Sequence, residues 1–254
     1  MKIGSLNICG IKDDITKRAN ILNFIKNNRM NIVCFQETHL NSKDEVIDCF
    51  KSLKGTLYHS VHLEGRKHGI CTWFSPDIDI EFIHHLADTE GRIISVKFKL
   101  ADQIFNLINV YSPNIPADRV SFLHSLNKYV IPEDPDHPPC EYIFAGDWNC
   151  IEDYSMDKLS GGSWRGVLSG RDQIRHLKTQ FDLRDTFRSF NPDLQKFTHF
   201  SKQYNTKTRI DRIYSSSVFR SLITKADIKP CTYSDHSMAY CVFHLDDAPR
   251  GHAH

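Results

Sequence analysis

The stretch Phe144-Ala145-Gly146-Asp147-Trp148-Asn149 decides the reading of this chain. It includes the end of the apolar run Tyr142-Ile143-Phe144, which predicts a buried strand. The strand closes on a small residue and a glycine, then presents a carboxylate and a carboxamide two positions apart. Residues two apart on a strand point to the same side, so Asp147 and Asn149 face one site if the strand geometry continues that far. A carboxylate takes a proton or orients a water, and an amide donates to a phosphoryl oxygen. A polar turn closing a strand fits the same hexapeptide, and the rest of the chain decides between the two.

Outward from it, other strand-like runs end in the same kind of group. Lys2 to Ile8 carries Asn7, and Asn31 to Phe35 runs into Gln36-Glu37-Thr38. Ile104 to Val110 delivers Tyr111, Ile210 to Tyr214 carries Asp211, and Ile223 to Ile228 leads to Ser234-Asp235-His236. Helical spacing appears from Thr16, a candidate cap, through Asn27, and Ser42-Lys43-Asp44-Glu45 is a capping box opening a second helix. Pro116 opens a helix through about Tyr129, Ser169 caps one through Thr179, and Leu183 to Phe187 is a shorter apolar piece. Leu57 to Val61, Ile70 to Phe74, Ile78 to His84, Arg92 to Phe98 and Ile104 to Val110 predict an antiparallel meander. Phe197 to Phe200 and Ile210 to Tyr214 bracket the polar stretch Ser201 to Thr208, the pattern of a hairpin with an exposed tip.

These segments predict an α+β fold: a four-layered α/β/β/α sandwich of two mixed or antiparallel sheets packed face to face with helices outside. No linker divides residues 1–245, and residues 246–254 read as a linker or tail. With 40% hydrophobic and 25% charged residues the class is globular, and no apolar run approaches the roughly 18 residues that span a bilayer. Met1-Lys2-Ile3-Gly4 leads straight into a strand without a signal-peptide pattern. Eight cysteines without a C-x-x-C pair predict reduced, mostly buried thiols, and the spacing does not predict a zinc site. Net charge is only +1, but from Lys158 onward basic residues accumulate, as a basic face on a nearly neutral protein requires.

Taken in order, Leu6-Asn7, Gln36-Glu37-Thr38, Asn109-Val110-Tyr111, Gly146-Asp147-Trp148-Asn149, Arg209-Ile210-Asp211-Arg212-Ile213 and Ser234-Asp235-His236 resemble the endonuclease/exonuclease/phosphatase superfamily, the DNase I-like fold. The resemblance spans nearly the whole chain and implies metal-dependent phosphodiester hydrolysis, with Mg²⁺ as cofactor and Mn²⁺ as a substitute. It implies Glu37 as principal metal ligand with Asn7 and Asp235 close by. It implies that Asp147 orients or deprotonates the attacking water, and that Asn149 and Tyr111 donate to phosphate oxygens. His236 then binds the scissile phosphate and Asp211 orients the imidazole.

Within the superfamily, Asn-x-x-Gly-Ile-Lys, Gln-Glu-Thr-His, Asn-Val-Tyr-Ser-Pro, Gly-Asp-Trp-Asn-Cys and Arg-Ile-Asp-Arg-Ile-Tyr look like endonucleases of non-LTR (LINE-type) retrotransposons, the Tx1-like group of the L1 lineage. That resemblance implies nicking of double-stranded DNA to leave a 3′-OH for target-primed reverse transcription. The domain would be continuous with a reverse transcriptase, made in the cytoplasm and active in the nucleus, without membrane attachment. Abasic-site enzymes of this fold line their pocket with aromatics where this chain has His199 and Thr208, which weakens a repair reading. A phosphoinositide phosphatase lacks its longer signature blocks here, and a silent nucleic-acid-binding module is opposed by the complete acidic and histidine set. Thr198, Arg209 and Ser234 are expected to hold the DNA backbone. Lys202 and Lys207, within Ser201 to Lys207, and the Gly161-Gly162 loop are expected along a groove.

Overall fold

Strand alternation places the layers and, at one end, the site. The computed structural model describes residues 1–62, 65, 67–133, 139–159 and 166–244. The elements begin β1 (Lys2–Asn7), α1 (Ile15–Asn27), β2 (Ile32–Gln36), α2 (Lys43–Phe50), β3 (Thr56–Ser60), β4 (Ile70–Phe74), β5 (Ile80–Ala87), β6 (Ile93–Leu100) and β7 (Gln103–Tyr111). Then come α3 (Pro116–Ser125) with a 3-10 turn over Leu126–Tyr129, β8 (Cys140–Asp147), α4 (Tyr154–Asp157), β9 (Lys158–Leu159), α5 (Arg171–Gln180) and β10 (Arg184–Asp185). The chain continues with α6 (Thr186–Phe190), β11 (His199–Ser201), β12 (Thr206–Thr208), β13 (Asp211–Ser215), α7 (Ser217–Leu222), β14 (Ile223–Lys229) and β15 (Met238–Phe243).

Two six-stranded sheets result, in the orders β14-β15-β1-β2-β4-β3 and β10-β13-β8-β7-β6-β5, with a small sheet β11-β12-β9 beside them. Each large sheet has one parallel pair at its centre, β1 with β2 and β7 with β8, and antiparallel neighbours on both sides. A crossover is needed to make strands parallel, and α1 supplies it in the first sheet and α3 in the second. One face of each sheet packs on the other through Ile3, Ile32, Cys34, Phe105, Leu107, Ile143, Ala145 and Ile213. The opposite face of the first sheet takes α1 and α2 on Leu6, Val33 and Phe35. That of the second takes α3 and α5 on Ile108, Val110 and Phe144. The expected α/β/β/α order is thus present.

Period two carries the inner face to the polar end. Ile143 and Ala145 are followed on that face by Asp147, Leu107 by Asn109 and Tyr111, Ile3 by Ser5 and Asn7, and Ile213 is preceded by Asp211. The catalytic candidates are therefore the last members of the rows that fill the inter-sheet core. Gly146 belongs to the opposite face and tolerates nothing larger. A Cβ there would lie 1.9 Å from the carbonyl oxygen of Val110 on the paired strand.

Several local expectations are corrected. Asp14, not Thr16, caps α1, accepting from the Lys17 amide at 2.7 Å. The α5 cap is Gly170 rather than Ser169. It sits at φ +96, where a Cβ would also strike Leu123 Cδ1 at 2.7 Å. The predicted meander divides: β3 and β4 pair at the edge of the first sheet, while β5, β6 and β7 build the second. The hairpin pairs β11 with β12, and the following strand β13 leaves it to join β8. Leu183 to Phe187 splits into β10 and the start of α6. Ser42 caps α2, and Pro116 stands in the first turn of α3, as the sequence predicts. Gly161-Gly162 and the tail at 246–254 lie outside the described residues. No helix among the described residues is long and apolar enough to cross a membrane.

Candidate active site

The polar ends of both sheets meet across the inner layer. Asn7, ending β1, donates one amide hydrogen to Glu37 Oε1 at 2.9 Å and another to Asp147 Oδ2 at 3.0 Å. One side chain thereby ties the first sheet to the second, while its Oδ1 accepts from the Cys9 backbone at 3.0 Å. Tyr111, opposite Asp147 in the β7–β8 register, donates its hydroxyl to Glu37 Oε1 at 2.7 Å. Asp211, opposite Asp147 on the other side, holds His236 Nδ1 at 2.8 Å from its Oδ2. Asp235 stands exposed beside them, its Oδ2 3.8 Å from His199 Nε2.

Backbone strain accumulates here. Cys9, Glu37, His39 and Asn149 all have φ between +47 and +55, a region that costs non-glycine residues about 1–3 kcal/mol each. Asn149 therefore does not reach the cleft by continued strand alternation. The strand ends at Asp147, and a left-handed turn brings Asn149 round so that its amide donates to the Ser112 carbonyl at 2.7 Å. Its backbone N–H donates to Asp147 Oδ1 at 2.9 Å. Such strain persists where surrounding contacts over-determine it, which is common at functional sites.

The electrostatics separate the carboxylates into two kinds. Burial alone would raise Glu37, yet hydrogen bonds from His39, Asn7 and Tyr111 hold it down at about 2, so it is ionised. Burial, and then the neighbouring Asp211, push Asp147 up to about 7. Burial works against a charged imidazole at His236, but Asp211, Asp147 and Asp235 outweigh it and raise the ring to about 10. Burial and Glu37 push the Tyr111 phenol well above its ordinary range, so it remains a donor. The site thus holds an ionised acid, a carboxyl poised near neutrality and an imidazolium, the set needed to move a proton and bind an anion.

These groups open on one cleft of about 630 Å³, lined by Glu37, Asp147, Asn149 and His236 together with Lys158, His199 and Tyr204. The ion pairs of Glu37, Asp211 and Asp235 run to histidines His39, His236 and His199. Asp157, outside the cleft, instead collects Arg188, Arg209 and Arg212. A cluster of hard oxygen donors whose neighbours are amides, a phenol and imidazoles fits a divalent cation that prefers oxygen.

The sequence-predicted residues fall into two groups. Asn7, Glu37, Tyr111, Asp147, Asn149, Asp211, Asp235 and His236 come together as described. Thr198, Ser234 and Arg209 are not among the residues that line this cleft, and their side chains bond within the protein. Thr198 Oγ1 accepts from the amides of Ile210 and Asp211, both at 3.0 Å, and so fixes the start of β13. Ser234 donates to the Asn7 carbonyl at 2.8 Å and accepts from the His236 amide at 3.1 Å. Arg209 is 1% exposed, its Nε donating to Asp157 at 2.8 Å and its Nη1 to Asp185 at 2.6 Å. Lys202 and Lys207 are exposed on the β11–β12 hairpin. Lys158 and Tyr204 border the cleft and were not singled out from the sequence. The only signal for Lys158 was its place at the head of the basic run, and for Tyr204 its place in the predicted hairpin tip.

The profile of the endonuclease/exonuclease/phosphatase family matches residues 4–236. The chain belongs to this family. Its class is therefore that of hydrolytic nucleases and phosphatases. A relative, "Transposon TX1 uncharacterized 149 kDa protein" of Xenopus laevis, is 27% identical over 239 residues. The match covers 93% of this chain but only 18% of that protein's length. Among solved structures, the AP endonuclease LMAP from Leishmania major superposes with a TM-score of 0.79 at 19% identity, covering 96% of this chain and 87% of that one. An AP endonuclease from Archaeoglobus fulgidus gives 0.77 at 19% identity, covering 96% and 100%. At such identity these likenesses establish the fold.

Proposed function

We propose that this protein is an Mg²⁺-dependent DNA endonuclease that nicks one strand of duplex DNA. The 3′-OH it leaves would prime reverse transcription of a non-LTR retrotransposon. The observation that carries the reading is the convergence of Glu37, Asp147 and the Asp211–His236 pair in one open cleft walled by the hairpin that bears Tyr204, Ser201 and Thr206. A hairpin standing over a hydrolytic site suits a long duplex better than a small ester enclosed on all sides. Similarity to a much longer transposon protein agrees with a domain within a longer protein; on this reading the remainder carries a reverse transcriptase, and the protein is made in the cytoplasm and acts in the nucleus.

In this mechanism Asp147, with its carboxyl poised near neutrality, orients the attacking water and takes its proton. His236, cationic and held at Nδ1 by Asp211, presents Nε2 to a phosphoryl oxygen. Asn149 donates its second amide hydrogen to a remaining oxygen, and Tyr111 turns its one hydroxyl hydrogen from Glu37 to another as the phosphate enters. Glu37 would hold the Mg²⁺ with Asn7 and Asp235 beside it. When bound, the ion polarises the phosphoryl group and stabilises the departing alkoxide. His199 and Thr208 make the cleft wall polar where a baseless sugar would need an aromatic pocket, so duplex nicking is favoured over abasic-site repair.

The test is incubation of the protein with supercoiled plasmid and Mg²⁺, with Asp147→Asn and His236→Ala beside it, followed by mapping of the cuts. Relaxed circles from the unmutated protein alone support the reading. Intact plasmid together with cleavage of an abasic duplex overturns it in favour of repair. Exchanging Ser201–Lys207 is expected to change which sequences are nicked without slowing the chemistry. An unaltered cleavage map on mixed-sequence DNA would remove the hairpin from target choice.

A further inference from the structure

Of the eight cysteines, Cys9 alone is not buried. It follows β1 in a left-handed turn, φ +47, that brings its Sγ to the cleft. The thiol lies 2.7 Å from Asp235 Oδ1. One ligand atom from each of Cys9, Asp235 and His236 falls within 4.8 Å of the others. Because Asp211 occupies His236 Nδ1, Nε2 is the ring nitrogen left for a cation. His199 stands behind, its Nε2 3.8 Å from the second oxygen of Asp235 and its ring centroid 4.6 Å from that of His236.

We propose that Cys9, Asp235 and His236 form a second metal site, selective for a thiophilic divalent ion of the zinc class, and that its occupation shuts the catalytic cleft. Thiolate, imidazole and carboxylate are the zinc donor set, and three protein ligands with one open position match its tetrahedral preference. Mg²⁺ gains little from sulfur or nitrogen and prefers a nearly all-oxygen octahedron, so the two ions favour different corners of the cleft. As the Sγ–metal and Nε2–metal bonds form, the thiol proton and the His236 Nε2 proton both pass to solvent, two per ion bound. Cys9 and Asp235 are 226 positions apart, so no closely spaced ligand run announces the site in the sequence. The shutting follows because the ion takes Asp235 and His236 away from metal and phosphate. That consequence alone rests on the proposed function.

The binding itself is tested without DNA. Co²⁺ added to the whole protein is expected to develop the near-ultraviolet thiolate-to-cobalt charge-transfer band and tetrahedral visible bands, both bleached by one equivalent of Zn²⁺. Cys9→Ser and Cys9→Ala, each checked for folding by circular dichroism, should lose the charge-transfer band. Cys231→Ser, which removes a buried thiol, should keep it. Zn²⁺ affinity should fall in both Cys9 variants by more than the roughly 10–100-fold that loss of an outer-shell partner costs. Zn²⁺ should also inhibit Mg²⁺-supported plasmid nicking in the unmutated protein at far lower concentration than in Cys9→Ser. A charge-transfer band absent from the unmutated protein, or surviving in the folded Cys9 variants, overturns the site. Binding with the predicted spectrum but without inhibition overturns the closure.

Discussion

Replacing Arg209 by methionine separates two roles that its place beside the catalytic strand confounds. The guanidinium bonds Asp157 at 2.8 Å and Asp185 at 2.6 Å, with its side chain 2% exposed. After Arg209→Met, Asp157 keeps Arg188 at 2.9 Å and Arg212 at 3.3 Å. Asp185 keeps only Arg212 Nε at 4.0 Å and the Arg188 amide at 3.2 Å. The loss therefore falls on Asp185, a buried carboxylate left nearly without its cation. Breaking one side of a buried pair costs about 3–5 kcal/mol, and the surviving partners place this case near the lower end, about 3 kcal/mol. At roughly 2–4 °C per kcal/mol for a chain near this size, the midpoint should fall by roughly 6–12 °C. Urea unfolding followed by circular dichroism measures the first figure and calorimetry the second. Below the new midpoint, the DNA concentration for half-maximal nicking should be unchanged. A stability change under about 1 kcal/mol, the range of exposed pairs, together with a severalfold rise in that concentration would refute the burial argument and return Arg209 to the DNA.

Gly146→Ala should fail to accumulate as folded protein, because its methyl meets a neighbouring strand's backbone rather than a flexible side chain; a soluble variant of ordinary melting temperature would contradict this. Asp211→Asn should reduce turnover on the order of 100-fold or more by releasing the His236 ring, with a shifted pH profile that a purely structural loss would not produce. Stability should also depend on acid through Asp157. Burial opposes its charge, but Arg212 and Arg209 hold its carboxyl well below the ordinary range. Its contribution is then complete above the unfolded aspartate value of about 3.9 and drains away as pH falls toward the depressed folded value. Asp157→Asn should flatten that acid limb of the stability curve, and an unchanged limb would assign it to other carboxylates.

The layers and most of the site were legible because period-two alternation survives to the strand ends. Ile143, Ala145 and Asp147 could be read as one row, as could Leu107 and Tyr111. Pairing across sequence distance was not legible. Turn signals marked β3 to β7 as strands but carried nothing on which sheet would take each, so the meander divided where none was foreseen. Arg209 looked like a cleft residue by proximity to Asp211. Its true partners, Asp157 and Asp185, lie 52 and 24 positions away. Asn149 came to the site for a reason opposite to the one alternation supplied. A backbone in the left-handed region leaves no trace in a hydrophobic pattern, and only its φ shows how the amide turns.

The Asn7 amide that grips Glu37 and Asp147 at once makes the site a gauge of how the two sheets are docked. Each sheet brings one of the two carboxylates, and nothing within either sheet sets their separation. A slight slip or tilt between the layers is delivered undiminished to the reacting groups. Substitutions deep in the middle of the sandwich, at Ile3, Leu107 or Ile143, are therefore expected to behave as activity variants before they become folding variants. In a mutational survey the sensitive positions should trace the whole seam between the sheets rather than a ring around the cleft.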